Sequence, residues 1–184
     1  MPAYVETVNQ IISLGVILIE CLVVFLAVTV IFFRSRKNPI LLFFKEYGIL
    51  LVFMTALGSV LTSLFYSNVV GFPPCELCWI QRLFIYPQVL MAGYLLWRPN
   101  TKRTHDILKV SFIFAIMGSA VSLYHTYIVN GGESSIACAN NTAIVSCTVR
   151  YVYEFGYITI PVMALSAGLF IVILLVNYRY MTKQ

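Results

Sequence analysis

The sequence predicts an all-α, polytopic membrane protein with five transmembrane helices, and three observations lead there. Apolar residues fill 60% of the 184 positions and charged ones only 10%, for a mean hydropathy of +0.89. A soluble domain has too much surface to cover with so few charges. Five segments, approximately 11–33, 47–68, 78–97, 107–129 and 156–178, match the roughly 20 helical residues that cross a hydrocarbon core of about 30 Å. Gly, Pro, Asn and charge cluster in the breaks "RSRKNP", "NVVGFPPCE", "RPNTKRTHD" and 130–154. Barrel strands are excluded, because the runs show no period of two and a barrel strand is half as long.

The first segment, 11–33, has the look of a signal peptide, but its amino-terminal flank carries Glu6 and no Lys or Arg, and "RSRK" follows as a stop-transfer signal. It is read as a retained helix. Glu20 falls near its middle, where a bare carboxylate is expensive, so it is expected to be protonated, paired or turned into the bundle, with packing as its role. Cys21 beside it is a small apolar filler. The break after this segment carries Arg34, Arg36 and Lys37, with Lys45 just before the second segment. The break between the third and fourth segments brings Arg98, Lys102 and Arg103, with Lys109 just inside the fourth, and Arg179 and Lys183 follow the fifth. Only Arg82 and Arg150 fall on the other side, so the N-terminus is expected outside and the C-terminus in the cytoplasm. That topology accounts for a pI near 9.0 without nucleic acid. Tyr66, Trp79, Trp97, Tyr151 and Tyr153 fit an interfacial aromatic belt.

Four of the five cysteines, Cys75, Cys78, Cys138 and Cys147, then lie in the two outward connections, on the oxidising side where disulfides persist. Pro73 and Pro74 cannot continue a helix, so one is expected to start near Cys75 or Glu76. Cys78 would sit in its first turn, where free N–H groups and the helix dipole favour a thiolate, with Arg82 one turn on. An arginine at that depth needs an anionic or polar partner, such as a thiolate or the polar head of a ligand. The bland alternatives are a structural disulfide or half a zinc site. Zinc wants two closely spaced ligand pairs, and eight residues separate Cys138 from Cys147. No metal is expected. The looser pair suits exchange with another protein, or a simple staple.

The motifs "PCELCWIQR", "SLYHTY" and "SCTVRYVYEFGYITIP" together resemble the disulfide-bond formation protein B (DsbB) family, within it the short BdbC-type members. The resemblance covers roughly 47–178. It implies a DsbB-type four-helix membrane domain over 47–184, preceded by an extra N-terminal helix and cytoplasmic loop over 1–46. It implies a quinone-dependent oxidase in a bacterial cell membrane that generates disulfides for a DsbA-like thioredoxin-fold partner, with ubiquinone or menaquinone as cofactor. By position, Cys138 would form the mixed disulfide with the partner and Cys147 would attack Cys75. Cys78 would pass electrons to the quinone, with Arg82 and His125 beside it. The resting disulfides would be Cys75–Cys78 and Cys138–Cys147. The loop between Cys138 and Cys147 is shorter than in the longer DsbB proteins, and the first helix has no counterpart in the four-helix core. Two rival readings stay open: an importer of electrons running the reverse way, and a scaffold whose disulfides only hold its loops.

Overall fold

Why the polypeptide folds as it does is clearest from α6, Ile160–Thr182, which the other helices surround. In the computed structural model, which describes residues 3–33, 38–99, 103–133 and 146–182, 56% of the most apolar stretch of α6 is buried, against 17% for the first helix. Before it in the chain come α1 (Ala3–Phe32), α2 (Pro39–Glu46), α3 (Gly48–Leu64), α4 (Glu76–Trp97) and α5 (Thr104–Val129). A π-helical turn, Phe65–Val69, prolongs α3. The described residues contain no strand, only an isolated antiparallel bridge between Glu154 and Ile158.

Between helices in lipid the hydrophobic effect contributes little, so close packing through small residues does the holding. Gly168 of α6 lies so close to α5 that a Cβ there would collide with Ser119 Oγ. Polar ties add to this. Gln88 of α4, fully buried, donates Nε2–H to the Ser111 carbonyl of α5 at 2.8 Å and accepts from Ser111 Oγ. Such a pair is stable in an apolar interior because both partners are satisfied.

The expected first connection contains a helix of its own. Asn38 caps α2, its Oδ1 accepting the Ile40 N–H at 3.0 Å, and Pro39 occupies the first helical position. Asn177 of α6 donates to the Leu41 carbonyl at 3.1 Å, which docks this short helix on the bundle. Tyr66 also departs from expectation. It is buried rather than interfacial, and its hydroxyl donates to Asn9 Oδ1 at 2.9 Å.

Four described helical segments are long and apolar enough to cross a membrane: Tyr4–Phe32, Gly48–Val69, Thr104–Val129 and Ile160–Thr182. The chain thus reads as a multi-pass, all-helical membrane protein. The fifth expected span, 78–97, forms the 22-residue helix α4 but is not among the four. The reason is compositional: Gln81, Arg82 and Gln88 dilute its apolar content.

Candidate active site

The chemistry collects at the amino end of α4. After Gly71, whose φ of +82° turns the chain out of α3, Pro73 and Pro74 lead into Cys75 in extended backbone (φ −74°, ψ 172°). Cys75 is the cap of α4, and its Sγ accepts the Cys78 backbone N–H at 3.3 Å. This is the bond an N-cap serine would make, made here by a sulfur. Cys78 falls in the first turn, which brings the two sulfurs to 2.7 Å as free thiols.

His125 of α5, itself buried, faces Cys75, with Nε2 3.7 Å from Sγ. Its Nδ1 lies 3.4 Å from Gln81 Nε2. An amide N–H can only donate, so with the amide in this orientation Nδ1 accepts and Nε2 carries the proton toward the sulfur. The S–H of Cys78 holds the Cys75 thiol below its ordinary range, opposed by burial and reinforced by His125 and the Cys78 backbone N–H. Cys75, rather than Cys78 as expected from the sequence, is therefore the sulfur disposed to be a thiolate, with the Cys78 S–H as its donor. Cys75 Sγ, Cys78 Sγ and a His125 nitrogen lie within 4.8 Å of one another and offer a soft cation three ligands, one fewer than a structural zinc site takes.

Arg82 finds its polar partner on α3. Its Nε–H donates to Ser63 Oγ at 2.9 Å and an Nη2–H to the Ser63 carbonyl at 3.2 Å, while the guanidinium stacks 5.0 Å from the Trp79 ring. Ser63 takes two of its five donors.

Two cavities meet at this pair. The larger, about 470 Å³, is within the size range of small-molecule pockets. Cys78, Gln81, Arg82, Gln88 and Ser63 are among its polar walls, with further hydroxyls from α3 and α5, and apolar side chains from α1, α3, α4, α5 and α6 form most of the rest. The smaller, about 30 Å³, has room for a water molecule and is lined by Cys75, Cys78, His125 and Cys147 among others. Cys147 is disulfide-bonded, 2% exposed, and packs in one apolar cluster with Cys75, Leu77 and Ile128. Arg150 holds it there: its Nε–H and an Nη2–H both donate to the Val129 carbonyl, at 3.1 and 2.9 Å, closing the carboxyl end of α5. Cys147 thus packs beside Cys75 with the chain that follows it pinned to α5.

A family model described as "Disulfide bond formation protein DsbB" matches residues 45–178, close to three quarters of the chain. The chain belongs to the DsbB family. Among its relatives are the "Disulfide bond formation protein C" of Bacillus subtilis, 34% identical over 140 residues (74% of this chain, 91% of the relative), and a "Probable disulfide formation protein C" of Bacillus cereus, 36% identical over 121 residues (66% and 84%). Another of that name, from Halalkalibacterium halodurans, is 37% identical over 122 residues (65% and 84%). No solved structure matches. Membership in the DsbB family implies disulfide oxidoreductase chemistry at a membrane.

Of the residues singled out from the sequence, Cys75, Cys78, Arg82, His125 and Cys147 converge on the two cavities. His125 lines the smaller one, against Cys75, and is not a wall of the larger one, where the resemblance put it beside the quinone. Cys138 lies outside the described residues. Ser63, Gln81 and Arg150 were not foreseen. Only Gln81, adjacent to Arg82 in a segment expected to span the membrane, left a signal in the sequence.

Proposed function

We propose that the chain is a membrane thiol:quinone oxidoreductase that makes disulfides de novo, reoxidising a DsbA-like thioredoxin-fold partner and passing the electrons to ubiquinone or menaquinone. One observation carries this reading. The Cys75/Cys78 pair stands between two cavities, with Cys147 on one and the Arg82 guanidinium on the other.

A thiolate of the partner attacks Cys138 of a Cys138–Cys147 disulfide, and the partner's second thiol resolves the adduct into the partner's own disulfide. Cys147, now a thiolate, attacks Cys75 of a Cys75–Cys78 disulfide, and Cys138 then closes on Cys147. Two electrons and two protons have moved from the partner to Cys75 and Cys78. A quinone, when bound, supplies an acceptor for two electrons and two protons. The larger cavity fits such a group: apolar walls for a lipid-soluble molecule, and at one end a sulfur and a fixed cation for its oxygens. Arg82, anchored on Ser63, would hold a quinone through its oxygens, and Cys78 lines the same cavity. His125 and Gln81 work on the other side, stabilising Cys75 as a thiolate.

At 1.5 Å per residue the 22 residues of α4 reach about 33 Å, and we take it as the fifth span. Residues 47–184 then form the catalytic four-helix unit, with 1–46 added before it. The N-terminus is outside and the C-terminus cytoplasmic, with Lys45, Arg98, Arg103 and Arg179 at the inner face.

The test is to mix the purified protein with a reduced thioredoxin-fold partner and a short-tailed quinone. One quinone should be consumed per partner disulfide formed, and Cys78→Ser should abolish consumption. With Cys147→Ser and a single-cysteine partner presented as its mixed disulfide with thionitrobenzoate, Cys138 should displace thionitrobenzoate and hold the partner as a stable adduct. Inert protein, or undiminished turnover in Cys78→Ser, would overturn the reading.

A further inference from the structure

We infer that α1, all of which precedes the segment matched by the family, is a working wall of the quinone cavity, and that Gly15 keeps open the space the ring or the start of its tail occupies. The inference rests on the quinone reading above and extends it to a helix that the four-helix core does not contain.

Ile12, Gly15, Val16 and Ile19 all line the large cavity. Their spacing of three, four and seven residues marks a single face of a helix. Leu14 and Leu18 are exposed and are not walls of the cavity, whereas Gly15, also exposed, lines it. A Cβ built on Gly15 meets nothing within 4 Å, whereas one on Gly168 strikes Ser119. Gly168 therefore permits helices to touch, and Gly15 leaves volume unfilled.

This wall is fastened on both sides of those four residues. Above it, Tyr66 Oη donates to Asn9 Oδ1 at 2.9 Å in a buried contact. Below it, the Glu20 carboxylate accepts from Tyr157 Oη at 2.6 Å and Ser166 Oγ at 2.8 Å. A carboxylate inside a span is expensive unless paired, and these two hydroxyls give it partners that tie α1 to α6 and to the turn before it. The residues that reach the cavity from α1 are apolar or glycine, while Ser63, Cys78 and Arg82 stand on α3 and α4. So α1 meets the hydrocarbon part of the ligand, and sets how wide a ring or tail is admitted.

The experiment measures binding of a fully substituted, decyl-tailed benzoquinone to the purified full chain by equilibrium dialysis. Gly15→Leu should weaken binding by about tenfold or more, Gly15→Ala by less, and Leu18→Ala not at all. As a second readout, Gly15→Cys in a Cys21→Ala background should be shielded by the quinone from a lipid-permeable maleimide, and Leu18→Cys should not. This readout stands even where the leucine variant fails to fold. Native affinity in a folded Gly15→Leu, or no shielding of Gly15→Cys, would overturn the inference while leaving the oxidase reading intact. A native protein that binds no quinone overturns both.

Discussion

α1 and α4 are opposites. α1 is the most apolar of the candidate spans, yet little of it is buried, and it faces lipid along much of its length. α4 falls short of the hydropathy a span requires, yet it carries both cysteines of the CxxC pair, Arg82, and the buried Gln81 and Gln88. The difference teaches where a membrane protein keeps its chemistry. Polar side chains at membrane depth are tolerated only when satisfied, so the helix that looks least like a span is the one whose polar groups have work and partners. Ser63 anchors Arg82 through two of its donors, His125 meets Gln81, and Ser111 satisfies Gln88.

Substitutions on the two helices break or sharpen that contrast. The largest effect is expected at Arg82. Arg82→Ala should lower kcat/KM for quinone by about 100-fold or more, near 3 kcal/mol of transition-state stabilisation, with partner binding retained. Arg82→Lys should restore little, since a point charge cannot make the paired contacts to Ser63. Steady-state assays against a short-tailed quinone check both, and native kinetics in Arg82→Ala would break the contrast outright. Next comes Gln88→Leu. It leaves Ser111 Oγ without its acceptor across α4 and α5, and should cost about 1–3 kcal/mol in denaturant unfolding.

The third prediction concerns pH. A thiol held below its ordinary range is a thiolate above that lowered value and is lost as the pH falls through it. His125→Ala removes one of the lowering influences, so alkylation of Cys75 in the reduced protein should move to higher pH. The shift should be partial, because Cys78 supplies the largest influence and remains. A profile unmoved, or moved to lower pH, would contradict the geometry. The smallest effect is expected on α1's lipid face, where Leu18→Ala should change stability by no more than about 0.5 kcal/mol.

How much of this was legible in the sequence follows from the same physics. The four apolar spans declare themselves by length, and α4 by the prolines before it and the arginine after it, which is why its start at Glu76 is close to the expected one. α6 begins at Ile160, four residues later than expected, because the Glu154–Ile158 turn occupies the intervening chain. α2 was read as loop. Eight residues beside a basic run carry too little periodicity to announce a helix, and its docking depends on Asn177, more than 130 residues away. The CxxC pair and its arginine could be read from spacing alone. Ser63 could not, nor could the meeting of Cys147 with Cys75, because both depend on which helices become neighbours. Tyr66 shows the limit from the other side: its place at a span's end suited the interface, and Asn9 drew it inward.

The burial of Cys75 and Cys147 in one packed cluster has a further consequence. A small soluble thiol that reached an exposed disulfide could drain its oxidising equivalents at random. A disulfide that is sheathed is insulated against such leakage. Current can then enter only where a docked protein parts the sheath, so selectivity among reductants becomes a matter of shape as well as of redox potential.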